Sequence, residues 1–326
     1  MRAILLNKSV KNFWQSLSKP ISILAPMEDV TDVVFREIIS KLAKPDVFFT
    51  EFTSIDALFS KGRETAEKRL RYNENQRPVV AQIWGTDPEK FRAAAEFIAQ
   101  LGFDGIDINM GCPDKSVLKR GAGAALINNN ELTEKIIKSV KLGAPNLPLS
   151  IKTRLAPDQL LTNSWFSFLL SMEIDALTIH ARTAKELSKF NANWQEIGNA
   201  VKLKNKLNPE IILIGNGDVE SYCEILEKHK TYGVDGVMVG RGIFKNPWLF
   251  EKGTSIKEHT KKEYIELLNT HTKLFNETWG KDKNFETMKK FFKIYVKGFK
   301  GANELRQKLM ETKNYDQVFA LIDKLL

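Results

Sequence analysis

The sequence predicts an α/β protein in which a (β/α)8 barrel is followed by a small helical domain. Eight short apolar segments, each bounded by turn residues, are typical of buried parallel strands. Amphipathic segments with helical periodicity lie between most of them. Beyond residue 250 the strand pattern stops and only helical periodicity continues. We therefore predict a barrel domain over residues 1–250 and a helical domain over residues 251–326.

The predicted strands and helices alternate in the order that a parallel barrel requires. A helix is predicted over residues 88–101, where Pro88 suits the first turn, and another over residues 131–142. A doubly wound open sheet is the alternative, but it needs a glycine-rich turn after its first strand, and residues 25–28 are Ala-Pro-Met-Glu. The predicted strands cover residues 21–25, 47–50, 79–83, 106–109, 149–152, 176–180, 211–215 and 237–239.

The predicted helical domain is basic, with 16 Lys/Arg against 11 Asp/Glu, so that +5 of the net charge of +9 lies there. Helical spacing would place all of its clustered lysines except Lys290 on one face. Such a cluster is either a solvated helix face or a contact surface for a phosphate backbone, and the pattern alone leaves both open. The clustered lysines are Lys289, Lys290, Lys293, Lys297 and Lys300.

Composition favours a protein of the reducing cytoplasm. Cys112 and Cys223 are the two cysteines, too few for a disulfide framework. The first eight residues lack the apolar region of a signal peptide. No apolar run approaches the ~20 residues of a membrane span. We therefore expect a cytoplasmic protein with no membrane attachment.

The most informative segment, residues 104–113, predicts a buried strand that ends in a tight turn at Cys112. Loops at the carboxyl ends of barrel strands build active sites. A thiol there can be a nucleophile, a metal ligand or a proton donor, and the segment alone does not decide among them. The chain has no CxxC or HExxH pattern and its histidines are scattered, so we predict no metal.

Two glycine-containing loops follow the last two predicted strands. Residues 214–218 read Ile-Gly-Asn-Gly-Asp and residues 239–242 read Val-Gly-Arg-Gly. Barrels often bind a phosphate between these two loops, and Arg241 would add a charge-assisted contact. The glycines could instead serve only tight turns, but their occurrence at both strand ends favours a phosphate site.

Polar side chains at the ends of other strands would meet at the same mouth of the barrel. An amide, a lysine and a histidine suit a flat ring that carries carbonyls and ring nitrogens, and a phosphate tail would reach the glycine loops. FMN fits this set. The residues concerned are Gln82, Asn109, Lys152, Arg154, His180 and Arg182.

Taken in order, these motifs resemble the tRNA-dihydrouridine synthases, a family of FMN-dependent TIM-barrel reductases. The similarity spans residues 25–250 and continues more weakly over residues 293–306. Ala181 stands where the family often has glycine. The matching motifs are Ala25-Pro26-Met27, Ala81-Gln82-Ile83-Trp84-Gly85, Asn109-Met110-Gly111-Cys112-Pro113, Lys152-Thr153-Arg154-Leu155, His180-Ala181-Arg182-Thr183, Gly215-Asn216-Gly217-Asp218 and Gly240-Arg241-Gly242.

The resemblance implies reduction of the C5–C6 double bond of tRNA uridines, with NAD(P)H as electron donor and Cys112 as general acid. It also implies contacts of Asn109, Arg154 and Arg182 with the substrate, and we expect a monomer. The alternative is an FMN-dependent barrel that acts on a small molecule, as dihydroorotate dehydrogenases do. The implied cofactor-binding residues are Ala25, Pro26, Met27, Gln82, Lys152, His180, Asn216, Gly217, Asp218, Gly240 and Arg241.

Overall fold

The computed structural model describes residues 12–127, 129–158, 162–187, 189–253 and 258–325. The expectation that no signal peptide is present concerns residues 1–8, which lie outside these ranges. Strands in the described ranges are β1 Ile21–Leu24, β2 Val47–Phe49, β3 Thr53–Ser54, β4 Val79–Trp84, β5 Gly105–Met110, β6 Leu149–Arg154, β7 Ala176–His180, β8 Ile212–Asn216 and β9 Gly236–Val239.

Eight of these strands form a closed parallel barrel. β1 pairs with β2 and β9, β2 also pairs with β4, and β4 to β9 follow one another around the ring. The short β3 pairs with the end of β4 and lies outside the ring, and the sequence analysis missed it because two residues show no periodicity. Closure confirms the predicted TIM barrel over the open doubly wound sheet, which would keep two edges.

Helices surround the barrel and make up the region after it. The predicted helices 88–101 and 131–142 are confirmed as α5 (Pro88–Gln100) and α7 (Asn130–Gly143), whereas the helical periodicity of the sequence does not predict α14 (Ala302–Glu311). Helices in the described residues are α1 Phe13–Ser16, α2 Val33–Ala43, α3 Ile55–Leu58, α4 Arg63–Lys68, α5 Pro88–Gln100, α6 Lys115–Leu118, α7 Asn130–Gly143, α8 Thr162–Leu170, α9 Trp194–Leu207, α10 Tyr222–Tyr232, α11 Gly242–Lys245, α12 Lys261–Trp279, α13 Glu286–Tyr295, α14 Ala302–Glu311 and α15 Tyr315–Ile322.

Local side chains explain where several helices begin. Asp87 accepts hydrogen bonds from the backbone N–H groups of Glu89 and Lys90, which otherwise lack helical partners. Thr260 and Glu263 form a reciprocal capping box at the first turn of α12. These contacts fix the start of helices that pack on the barrel.

The helical region shares one hydrophobic cluster with the outside of the barrel. Phe35 of α2 stacks on Phe291 of α13 with 5.5 Å between ring centroids. Asp32 accepts hydrogen bonds at 2.8 Å from both Trp279 Nε1 and Lys283 Nζ. This buried carboxylate therefore holds the helical region beside the carboxyl end of β1, where the cavity described below opens. No helix in the described part of the chain is long and apolar enough to cross a membrane.

Candidate active site

A cavity of about 860 Å³ opens at the carboxyl ends of the barrel strands. It is bounded by the segment after β1, the ends of β6, β7 and β8, the loop after β9, and two lysines from the helical region. Of the sequence-predicted site residues, Gln82, Asn109 and Cys112 do not line it, although Pro113, next to Cys112, does. The predicted residues that line it are Ala25, Pro26, Met27, Lys152, Arg154, His180, Arg182, Asn216, Gly217, Asp218, Gly240 and Arg241.

Lys152 and His180 form a partly buried pair on neighbouring strands at one side of this cavity. Lys152 Nζ donates to Asn216 Oδ1 at 3.2 Å. Burial, and then the nearby Arg154, lowers the pKa of Lys152 to about 8. Burial and the surrounding cations lower the pKa of His180 well below 6.5, so its imidazole is neutral at pH 7. The site holds one readily deprotonated ammonium and one neutral hydrogen-bonding ring.

Arg241, in the loop after β9, also lines this cavity. The Arg241 side chain is 60% exposed and its Nη2 atom lies 3.9 Å from Asp218 Oδ1, so it is free to turn towards a bound anion. A side chain at Gly240 would meet no protein atom closer than 3.9 Å, so packing within the chain does not require glycine there. At Gly242, by contrast, an added Cβ would lie 2.0 Å from the Val219 carbonyl oxygen. Glycine at position 240 keeps cavity space open beside Arg241.

Hydrogen bonds from several segments of the chain hold the turn that carries Cys112. Asn109 Oδ1 accepts hydrogen bonds from the backbone N–H groups of Gly111 at 3.0 Å and Cys112 at 2.9 Å. Arg154 Nε donates to the Gly111 carbonyl at 2.7 Å, and the Ala124 N–H donates to the Cys112 carbonyl at 3.0 Å. Burial raises the pKa of the Cys112 thiol, which keeps it protonated at neutral pH. The geometry thus presents a rigidly mounted thiol.

Two arginines predicted to bind substrate also hold the loop after β7. Arg154 Nη1 donates to the carbonyls of Thr183 at 3.0 Å and Leu187 at 3.2 Å. Arg182 Nε donates to the Phe190 carbonyl at 2.6 Å, and its Nη2 pairs with Asp218. Both side chains are less than a tenth exposed although they line the cavity. Much of their hydrogen-bonding capacity is therefore engaged with protein carbonyls.

The clustered lysines do not share one helix face, so that expectation was wrong. α13 ends at Tyr295, which leaves Lys297 and Lys300 outside the helix. Lys297 Nζ instead donates at 2.6 Å to two carbonyls of α11 in the barrel domain, and burial lowers the pKa of Lys297 to about 8. Lys289 pairs with Glu286 at 2.8 Å, and its side chain is 10% exposed.

The remaining cations of this cluster are better placed for an external partner. Lys293 and Lys300 are exposed and form no ion pair with any residue that the structure describes. Lys290 pairs with Asp29 at 3.1 Å. Lys293 and Lys297 line the cavity. The sequence does not predict this position, because the packing of the helices determines how far these lysines lie from the barrel mouth.

Three carboxylates, Glu28, Asp29 and Glu51, lie close together in the segments after β1 and β2. Each has a cation nearby: Glu28 pairs with Arg69, Asp29 with Lys290, and Glu51 lies 3.9 Å from Lys283. A cation therefore lies beside each carboxylate, and the absence of a metal from this site stays a prediction.

Comparison with known proteins identifies the class to which this fold and site belong. The family model described as "Dihydrouridine synthase (Dus)" matches residues 23–325. The chain therefore belongs to the dihydrouridine synthase family.

Individual relatives support this membership over nearly the whole chain. A Staphylococcus aureus protein named "Probable tRNA-dihydrouridine synthase" is 44% identical over 318 residues, which cover 96% of this chain and 95% of the relative. A Bacillus subtilis protein named "Probable tRNA-dihydrouridine synthase 2" is 44% identical and is covered to 96%. Among solved structures, 6-hydroxypseudooxynicotine amine oxidase from Pseudomonas geniculata has a TM-score of 0.55 at 12% identity, covering 80% of this chain and 53% of that one. This likeness shows the barrel fold alone.

Proposed function

We propose that this protein is a tRNA-dihydrouridine synthase that uses FMN and NAD(P)H, with Cys112 as the proton donor. Family membership gives the reaction class, which is an oxidoreductase that forms dihydrouridine. One observation supports the residue assignments: Pro113 of the turn that carries Cys112, the Lys152 ammonium and Arg241 of the glycine loop line the same cavity at the barrel mouth. The proposal treats residues 1–250 as the catalytic domain and residues 251–326 as the RNA-binding domain of a cytoplasmic monomer.

The chemistry of the donor set fits FMN. The phosphate would lie at Gly240 and Arg241, where an open glycine and a free guanidinium offer space and positive charge. The ring would lie near Lys152, whose Nζ atom donates one of its three N–H bonds to Asn216 and makes no other hydrogen bond with the residues that the structure describes. The backbone of residues 25–27 supplies an adjoining wall of the cavity. Gln82 belongs to the proposed set by family resemblance, although both ends of its amide are hydrogen-bonded to protein.

FMN held by Lys152, Gly240 and Arg241, and reduced by NAD(P)H, would supply the hydride for C6 of the uracil ring. The Cys112 thiol then gives its proton to C5, for which a raised pKa is suitable because the donor must be protonated beforehand. The Lys152 ammonium stabilises negative charge that develops on the ring system. The rigid mounting of the Cys112 turn limits the distances that the proton donor explores.

The RNA would approach across the helical region. The target base must leave its stack, at a cost of a few kcal/mol, before it can enter a cavity of this kind. Exposed cations at Lys293, which lines the cavity, and at Lys300 would offset this cost by holding phosphates. The helical region is the more basic part of the chain, with 16 Lys/Arg against 11 Asp/Glu, which supports an anionic partner there.

The test is in vitro reduction of tRNA that lacks dihydrouridine. The purified protein should carry FMN, should be bleached anaerobically by NADPH, and should form dihydrouridine that nucleoside mass spectrometry detects. Cys112→Ala should keep the flavin and its reduction but form dihydrouridine ~10²–10⁴-fold more slowly, the usual contribution of general acid catalysis. Oxidation of the reduced flavin by orotate or quinones, with none by tRNA, would contradict the proposal and favour the small-molecule alternative.

A further inference from the structure

A buried chain of hydrogen bonds runs from the barrel interior to the Cys112 turn. Asp107 and Gln82 are fully buried, and Asn109 is 6% exposed. Gln82 Nε2 donates to Asp107 Oδ2 at 2.7 Å, and Asn109 Nδ2 donates to Gln82 Oε1 at 3.0 Å. Asn109 Oδ1 is the acceptor for the Cys112 turn, as described above. Three side chains on neighbouring strands therefore connect the barrel core to the thiol.

Asp107 determines which group donates and which accepts in every hydrogen bond of this series. An ionised carboxylate only accepts, so Asp107 requires the NH₂ group of Gln82 and turns the Gln82 carbonyl towards Asn109. That carbonyl requires the NH₂ group of Asn109, which leaves the Asn109 carbonyl oxygen for the turn. Ser150 Oγ donates to the second Asp107 oxygen at 2.6 Å and completes the anchor.

We propose that Asp107 is a positioning residue, which orients the Gln82 and Asn109 amides so that an acceptor always faces the backbone of the Cys112 turn. A reversed Asn109 amide would place an NH₂ group against the N–H groups of Gly111 and Cys112 and would release the turn. Buried unpaired amides are costly, so the chain has one satisfied arrangement while Asp107 is an acceptor.

This inference takes the catalytic importance of Cys112 from the proposed function, but its test does not depend on turnover. Cys112 and Cys223 are both partly buried free thiols, so their alkylation rates can be compared in the same sample. Iodoacetamide is added to the FMN-loaded protein, and the two cysteine peptides are quantified by mass spectrometry over time. Release of the turn should expose Cys112 and leave Cys223 unchanged.

Two substitutions of Asp107 separate hydrogen-bond direction from mere packing. Asp107→Leu removes the acceptor, and we expect alkylation of Cys112 to be at least fivefold faster. Asp107→Asn can still offer its carbonyl to Gln82 and its NH₂ group to Ser150 Oγ, so it should keep the parental rate. Ser150→Ala is the matched control, because it removes a neighbour of Asp107 without changing the direction of the chain. Its Cys112 rate should be parental.

A polarity swap tests the inference without an apolar substitution. At pH 8, Asn109→Asp leaves Gln82 between two carboxylates, so that the Gln82 carbonyl must face one of them. Repulsion between these facing acceptors should move the side chain at position 109 away from the turn, and we expect faster Cys112 alkylation. In the double variant with Asp107→Asn, the new amide at position 107 donates to the Gln82 carbonyl, and the Gln82 amide donates to the new carboxylate at position 109. That carboxylate still accepts from the turn, so the parental rate of Cys112 alkylation should return. An unchanged Cys112 rate in Asp107→Leu, or a double variant that is no slower than Asn109→Asp alone, would overturn the inference.

Discussion

Replacing Lys152 by methionine should stabilise the flavin-free protein while abolishing its activity. Burial, with Arg154 nearby, lowers the pKa of Lys152 from 10.5 to about 8. The gap between these values corresponds to about 3 kcal/mol by which folding disfavours the charged form. Methionine keeps an apolar side chain but removes the ammonium and its hydrogen bond to Asn216, which contributes about 1 kcal/mol. We expect a net gain of about 2 kcal/mol at pH 7.

The stability difference between the Lys152→Met variant and the parent should depend on pH in a definite direction. Below pH 8 the lysine is charged in both the folded and the unfolded protein, so the full cost of burying its charge lowers the stability of the parent. Between pH 8 and 10.5 the folded protein loses the proton first, and the stability of the parent rises with pH. The difference between variant and parent should therefore fall by about 2 kcal/mol between pH 7 and pH 9.5.

Urea unfolding of the flavin-free parent and variant at these two pH values measures the effect. Lys204→Met is the matched control, because Lys204 Nζ lies 3.1 Å from Asp235 and its loss leaves a buried carboxylate with less compensation. That variant should be destabilised by about 3 kcal/mol at pH 7. A Lys152→Met protein that is less stable than the parent at pH 7, or a difference that does not change with pH, would refute the reasoning.

Three further predictions concern the thiols, the phosphate end and the RNA surface. Cys223→Ala should leave dihydrouridine formation unchanged, whereas Cys112→Ala should lower it as stated above; equal effects in the tRNA assay would contradict the acid role. Arg241→Ala should weaken FMN binding about tenfold and riboflavin binding less than twofold, as measured by fluorescence titration. Lys293→Gln with Lys300→Gln should reduce the slope of log affinity for tRNA against log salt by about 0.7–0.9 per lost contact, and an unchanged slope would remove these lysines from the RNA surface.

The barrel and most of its cavity lining could be predicted because their signals are local. Buried strands are short apolar runs, and the residues at their carboxyl ends are adjacent in sequence, as with His180 at the end of β7 and Gly217 directly after β8. Parallel strands bring their carboxyl ends to one edge, so residues far apart in sequence must meet there. Cys112 was found for the same reason, as a thiol in the turn after a strand.

The partners of those residues could not be predicted, because they depend on register and packing. From the sequence, Gln82 and Asn109 are predicted to contact ligands, and these roles stay predictions. The structure adds that the two amides bond to each other and that Gln82 also bonds to Asp107 on the neighbouring strand. Arg154 and Arg182 likewise bind carbonyls of the loop after β7. The hydrogen-bond partner of a polar side chain depends on which donor or acceptor lies nearest to it in the folded chain.

The sequence by itself therefore determined the barrel, the mouth where its polar residues gather and the excess of positive charge in the last region. Only the tertiary structure decided which of these charges remain available for an external partner. Lys297 would continue the helical spacing of Lys293, yet α13 ends before it, and its ammonium bonds to carbonyls 52 and 53 residues away. The physical reason is that periodicity reflects neighbours one helical turn apart, whereas a hydrogen bond between distant segments depends on how the whole chain packs.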